Sequence, residues 1–413
     1  MNGPESPPKD DGHPGHSLEV LDVAARLNQE YVSWDQLRTR KNLKYPAEEV
    51  WKYMSTFRRS SRRAVRIGAE RFSWNVTPGM MANLHTLDMN HTGGAILGHR
   101  LNRHSRHMYA VDSSMDEAIS SAILSGAMIQ TAAAKKLLRE RRAPKNPAEA
   151  AVCNAYAALE MARGYKDRDM SQEMIFDINR AASGGESALR NTDTPIPEEY
   201  SRDPTVAPIS YKDIGKAISD LGEFLSDETV HPLIRAFAAE YTIFRIQPFE
   251  SRNGITARSV ASWLLSKAGY DVSTYLAISS IIRARSAQYR LAFETSAAED
   301  DDMTYAIGFC LSSMCEAMDS FLEGAERKAR ENSEMLEGLS INDLNLRQRT
   351  ILADLARNPA GSTISEIAAK HQVSYQTARA DLILLSQRKL VRKGARDGHR
   401  DTYIYSAKTL ETL

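Results

Sequence analysis

Residues 247–258 read Gln247-Pro248-Phe249-Glu250-Ser251-Arg252-Asn253-Gly254-Ile255-Thr256-Ala257-Arg258, and this stretch decides the fold because it interrupts two helical patterns. Before it, His231 to Ile246 sets Leu233, Phe237, Tyr241 and Phe244 three or four residues apart, the apolar stripe of a helix. After it, Thr256 to Lys267 does the same. Gly269, in Trp263-Leu-Leu-Ser-Lys-Ala-Gly-Tyr270, supplies a C-terminal stop. The stretch therefore joins two helices. Phe249 is expected to plug the core beneath the loop, Asn253 to cap the second helix, and Gly254 to permit the tight turn.

Working outward, helical periodicity dominates. Leu21–Tyr31, Ala47–Phe57, Met115–Arg142, Pro147–Arg163 and Thr304–Glu323 all repeat apolar residues at three and four. Extended signals are confined to Phe72–Val76 and the alternation Asp401–Tyr405. The fold class is mostly α. The polar segment Ala182–Pro208 reads as a loop or hairpin. The Glu-Lys-Arg-rich stretch Glu326–Ser340 reads as a charged helix running into a linker. The expected division is a disordered tail at 1–16, an N-terminal region at 17–110, a core at 111–325, a linker at 326–344 and a C-terminal domain at 345–413.

Composition narrows the function class. With 413 residues, 42% of them apolar, the chain can build more than one core. No apolar run is long enough to span a bilayer. The N-terminal MNGPESPPKDDGHPGH lacks the apolar centre of a signal peptide. Cys153, Cys310 and Cys315 form an odd, sparse set that suits a reducing compartment, so a cytoplasmic location is expected. None of the three is placed as a metal ligand. His104 and His107 share a helical spacing, but with His99 they have no acidic or Cys partner nearby, so no metal site is expected. The net charge is zero and names no partner. The charge is uneven, however: from Ile341 onward there are 12 Lys and Arg against 7 Asp and Glu, a modest basic excess of the kind that nucleic-acid binding leaves. Phe57–Arg66 is a second basic run, with five Arg in nine residues. It is expected to be a solvated helix face, or a contact to a phosphate backbone.

Residues 247–258 resemble the signature of Fic proteins, H-P-F-x-[D/E]-G-N-G-R-x-x-R. Pro248, Phe249, Asn253, Gly254 and Arg258 match it. Gln247 stands for the His, Ser251 for the acid, Arg252 for the first Gly and Ile255 for the first Arg. The likeness extends beyond the loop. Phe244-Arg-Ile246 enters the motif as in the family, and Ile278-Ser-x-x-Ile-x-Arg283, Ala287-Gln-Tyr289, Asp302-Met-Thr-Tyr305 and Val373–Arg379 are similar to the large bacterial subgroup with an appended winged helix. Met115–Ser121 resembles the start of the helix carrying the family's inhibitory Glu. An ungapped alignment puts Ser125 at that Glu, followed by Gly126.

The resemblance implies AMP transfer from ATP to a protein hydroxyl, and it also implies which parts are altered. The motif His removes the hydroxyl proton, a contribution of roughly 10²- to 10⁴-fold. An amide at Gln247 has no such basicity. The acid holds Mg²⁺ against the phosphates, and Ser251 carries no charge. Arg252 replaces the first Gly and either fills the phosphate space or contributes to a ligand. Asn253 and Gly254 keep part of the backbone nest for phosphates at a helix N-terminus. Ile255 removes one phosphate-binding Arg, and Arg258 keeps the other. The inhibitory Glu normally pairs with Arg258, so Ser125 deprives it of that partner. Loss of engine and brake together points to a pseudoenzyme with no intact catalytic residue. No cofactor is expected; ATP or another nucleotide with Mg²⁺ would bind only if the pocket still functions, through Asn253, Gly254, Arg258 and Arg252.

The C-terminal domain reads as helix, turn, helix and wing. Ile364, Ile367 and Ala368 face inward on one helix, Val373 packs in the turn, and Ser374 caps a second helix whose buried stripe is Ala378, Leu382 and Leu385. Ser374, Tyr375, Gln376, Thr377 and Arg379 are left at the outward N-terminal end, which suits a major groove. Arg392, Lys393, Arg396, His399 and Arg400 surround the tip of the wing and can meet phosphates. The expected function is a DNA-binding regulator, a homodimer whose Fic core senses or dimerises without catalysis. One alternative is an adenylyltransferase with a non-standard active site, its base drawn from Glu250 or from outside the motif. Another is a protein-interaction scaffold that docks a partner through Ala182–Pro208.

Overall fold

A computed structural model describes residues 18–91, 103–196, 208–337, 344–358, 361–397 and 400–405, with backbone alone at 103–106, 328–337, 357, 395–397 and 400. The expected tail at 1–16 and His399 lie outside the described residues. The chain forms two compact units, residues 1–93 with 110–319, and residues 94–109 with 320–413.

The first unit begins with α1 (Leu18–Gln29), α2 (Trp34–Arg38) and α3 (Ala47–Ser61). Ser33 caps α2 with a reciprocal box to Gln36. These helices share a core of Leu27, Leu37, Val50 and Met54, closed by Trp34 edge-on to Trp51. A two-stranded antiparallel hairpin follows, β1 (Arg63–Ile67) and β2 (Glu70–Trp74), in the register Arg63↔Trp74 to Ile67↔Glu70. The basic run is therefore not one solvated helix face. It is the last turn of α3 followed by a strand, and Arg58 is only 3% exposed. Its guanidinium lies 4.0 Å from the Tyr31 ring and donates to Asn28 Oδ1, Val32 O and Tyr305 Oη. The charge tolerates burial because the Glu299 carboxyl at 3.4 Å, neutral acceptors and aromatic faces surround it.

Next come α4 (Pro78–Met89), α5 (Arg103–Leu124), α6 (Thr131–Glu140), α7 (Pro147–Gly164) and α8 (Gln172–Ser183). Their starts follow from capping. Thr77, Asn146 and Ser171 each accept a backbone N–H from the first turn, and Pro78 and Pro147 occupy positions where no N–H is needed. After a 3₁₀ turn, Tyr211–Asp213, come α9 (Ile214–Leu225), α10 (Pro232–Ile246) and α11 (Asn253–Lys267). Helix α10 is buried on every side from Leu233 to Ile243, and α11 from Asn253 to Ala261. Helices covered all round form the centre of a core, so the quoted loop hangs from the innermost hairpin of the unit. A second 3₁₀ turn, Asp271–Tyr275, leads to α12 (Ile278–Ala284), α13 (Ser286–Ala298) and α14 (Thr304–Glu337). The aromatic packing of Tyr241, Phe244, Tyr289 and Phe293 ties α10 to α13.

In the second unit, α14 continues without a break through 326, where the charged stretch begins. Tyr109 at the start of α5 meets Phe321 edge-on. Beyond it lie α15 (Leu346–Arg357), β3 (Ser362–Thr363), α16 (Ile364–Lys370), α17 (Tyr375–Gln387), β4 (Val391–Asp397) and β5 (Arg400–Tyr405). The three strands form an antiparallel sheet in the order β3-β5-β4. Ile351, Leu352, Leu355, Ile367, Ala378, Leu382, Leu385, Val391 and Tyr403 make its core.

Candidate functional site

The motif loop begins where α10 ends. Gln247 takes a left-handed conformation (φ 42°, ψ 65°) and its N–H still bonds Ile243 O. Arg252, before α11, is left-handed as well (φ 62°). Outside glycine this costs about 1 kcal/mol per residue, so Arg252 occupies a backbone shape that a glycine would take freely. Its half-buried guanidinium makes no hydrogen bond or ion pair to other described residues.

Gln247, Asn253, Phe249 and Arg258 each have partners inside the fold. The Gln247 amide pairs with one backbone residue in both directions: Oε1 accepts from Ile196 N at 2.9 Å, and Nε2 donates to Ile196 O at 3.2 Å. Asn253 closes the loop on itself, accepting from Phe249 N and donating to Phe249 O, both at 2.9 Å. Phe249 is fully buried against Ile175, Ile214 and Ile218, with Phe176 edge-on. Ile255 is buried and Ser251 is exposed. Arg258, on α11, reaches across to α5. Its Nε donates to Ser121 Oγ at 2.8 Å, and its Nη2 to Ser121 O and Ser125 Oγ, both at 3.0 Å.

Sequence reasoning missed two side chains that hold this loop, those of Arg190 and Asn179. Arg190 is almost wholly buried. It donates to Gln247 O and Ile246 O, carbonyls that the end of α10 leaves open, and to Thr192 O and Ile209 O. Backbone bonds from Arg190 N to Pro248 O and from Glu250 N to Ala188 O add an antiparallel bridge between Leu189 and Phe249. The first part of the polar segment is thus a strap laced to the motif loop; 197–207 lie outside the described residues. Asn179, buried on α8, donates to Ser251 O and Thr256 Oγ1, both at 3.0 Å.

Glu117 lies on α5 at two four-residue steps before Ser125, so Glu117, Ser121 and Ser125 share one face. It is buried and accepts from Ser279 N at 2.7 Å and from Ser279 Oγ. Burial raises its pKa, while the Ser279 bonds and the Arg163 and Arg258 guanidinia oppose the rise. Glu240, on α10, faces the same small cavity of about 20 Å³. Burial raises its pKa to about 7, with Glu117 adding to the rise and the Tyr289 hydroxyl opposing it. The spacing 117/121/125 was the only sequence signal for this set.

In the second unit, Ser374 caps α17, accepting from Thr377 N at 3.1 Å. Tyr375 is 50% exposed, and Gln376 and Arg379 are exposed. Arg392 and Lys393 are exposed on β4, with Lys393 bonded to Asp401 at 2.6 Å. Arg396 and Arg400 fall in the paired ends of β4 and β5. Asp381, unnoticed in the sequence, is buried on α17 and accepts from Arg347 and Gln348 of α15.

No family model matches the sequence, and no curated protein does. Solved structures do match. A Fic family protein from Desulfovibrio desulfuricans G20 superposes with a TM-score of 0.56 at 15% identity, over 81% of this chain and 97% of that one. The fold is a Fic fold. A variant of Fic-1 from C. elegans superposes with a TM-score of 0.50 at 15% identity, over 75% of this chain and 86% of that one. On this Fic fold the residues do not suit Mg²⁺ and nucleotide phosphates: Ser251 is neutral, Ile255 is apolar and buried, and the Asn253 amide is committed to Phe249. Among the described residues no group of three His, Cys, Asp or Glu is placed to hold a metal, and no helix is long and apolar enough to cross a membrane.

Proposed function

We propose that the chain is a DNA-binding regulator whose Fic core is a non-catalytic sensing or dimerising module. One contrast carries this reading. The motif side chains that transfer would need are spent inside the fold, Gln247 on Ile196, Asn253 on Phe249 and Arg258 on Ser121 and Ser125. In the second unit, Tyr375, Gln376 and Arg379 are turned to solvent at the start of α17. An amide fixed to backbone removes no proton, while short polar and basic side chains at a helix start suit base edges in a major groove. The strands β4 and β5, with Arg392 and Lys393, then act as a wing on the phosphates. One module of this size binds weakly, so two copies on paired half-sites are the working form.

The test is selection of genomic fragments by the full chain at moderate salt. An enriched sequence, lost in Arg379→Ala, is the expected result; no enrichment, or enrichment unchanged in the variant, defeats the reading. Calorimetry with ATP, with and without Mg²⁺, tests the sensor, and incubation with α-labelled ATP and lysate tests transfer. Labelling abolished by Arg258→Ala would establish an enzyme instead.

A further inference from the structure

A second recess lies away from the motif loop, in the first unit. It has a volume of about 260 Å³ and is walled by the end of α1, the end of α3 and the segment from Asn75 to Pro78. That is just under the roughly 300 Å³ at which sites for drug-sized ligands begin, so its occupant is compact. Phe57 and Val76 stand at the recess 38% and 40% exposed, with Ala25 and Pro78 adding apolar surface.

The polar lining is biased toward donors. Asn28 Nδ2 donates only to Met54 O and Asn75 Nδ2 only to Tyr31 Oη, so each keeps a second N–H. Gln29 makes no side-chain hydrogen bond with other described residues. Arg58 brings the one charge in the lining, and no carboxylate lines the recess. Behind that lining, the Arg58 guanidinium reaches Glu299 only at 3.4 Å. Burial holds the Glu299 carboxyl up at about 7, against the pull of Arg58, the Tyr305 hydroxyl and the Trp34 N–H. The other nearby acid, Asp302, is answered by Arg62 at 3.4 Å and accepts from the Tyr31 hydroxyl at 2.7 Å.

We propose that this recess is a binding site for a small carboxylic acid with a compact apolar body, its carboxylate toward Arg58, Asn28 and Asn75 and its body against Phe57, Val76 and Pro78. An acceptor-only group suits the spare N–H groups of Asn28, Asn75 and Gln29, with the Arg58 charge beneath them as an electrostatic attraction, and the apolar wall excludes a heavily hydrated anion such as free phosphate. The proposal does not depend on the DNA reading.

Ligand-observed NMR and calorimetry on the full chain test it with benzoate, phenylacetate, benzamide, benzylamine and inorganic phosphate. The two carboxylates are expected to bind, and at least about tenfold more tightly than the other three probes. Val76→Trp fills the recess without touching the polar network. It should weaken benzoate by about tenfold or more while circular dichroism and melting stay as in the parent. Phe57→Ala should weaken phenylacetate through lost apolar contact. Absence of carboxylate binding, equal binding of benzamide or benzylamine, or benzoate affinity unchanged in a folded Val76→Trp protein overturns the assignment.

Discussion

Ser125 Oγ accepts a hydrogen bond from Arg258 Nη2 at 3.0 Å, so the turn that closes α5 still holds the last motif arginine without a carboxylate. Ser121 accepts from Nε and Nη2 of the same guanidinium, and the buried acid Glu117 stands two four-residue steps back on the same face. Arg258 is thereby drawn toward α5 by neutral oxygens and a displaced negative charge.

Two variants probe this contact. Arg258→Met leaves Glu117 and two serines short of a buried partner and should cost about 3–5 kcal/mol, read by urea denaturation. Ser125→Glu sets a carboxylate beside the guanidinium at a half-buried position. It should add about 1 kcal/mol, with the gain shrinking as salt is raised. A Ser125→Glu protein less stable than the parent would mean that the turn cannot accept the longer side chain.

The Gln247–Ile196 pair predicts the behaviour of the strap. Gln247→Ala removes both amide bonds from a half-buried site and should cost about 1–2 kcal/mol. The loss should appear locally, as faster amide exchange at Leu189, Arg190 and Ile196, with the core of α10 and α11 protected as before. Gln247→His alone should give no nucleotide transfer, because Ser251, Arg252 and Ile255 remain.

Stability should fall as pH rises. The folded protein holds the Glu240 carboxyl at about 7 and that of Glu299 at about 7, above the ordinary 4.5. Between those values the folded state binds protons that the unfolded chain releases. The linkage slope is therefore negative, and stability present at pH 5 is lost on the way to pH 8. A shift of this size in one carboxyl corresponds to on the order of 3 kcal/mol. Glu240→Gln, which keeps an acceptor for Tyr289, should raise the melting temperature more at pH 8 than at pH 5. Equal effects at both values would contradict the assignment.

Asp381 ties α17 to α15 through Arg347 and Gln348. Asp381→Ala should cost the second unit about 2–4 kcal/mol and leave the first unit's melting unchanged. Arg379→Ala, on the exposed face, should cost little stability and weaken DNA binding by about 1–3 kcal/mol.

The sequence by itself determined the helical class, the helix–loop–helix at 247–258, the departures at Gln247, Ser251, Arg252 and Ile255, and the cap and buried stripe of α17. Those signals are local: a period, a capping residue, a motif position. The tertiary structure decided where the surviving polar groups go. Arg190, Asn179 and Ser121 meet the motif from 57, 72 and 137 residues away only because packing brings α5, α8 and the strap to one place. Arg58 shows the same limit. Among five arginines its pattern says solvated face, and it is buried because Tyr31 and Tyr305 converge on it from distant parts of the chain, with Trp51 of its own helix on the same side. Periodicity reports which side of an element is apolar; it carries no record of which distant side chain will answer a charge, since that depends on how several elements pack at once.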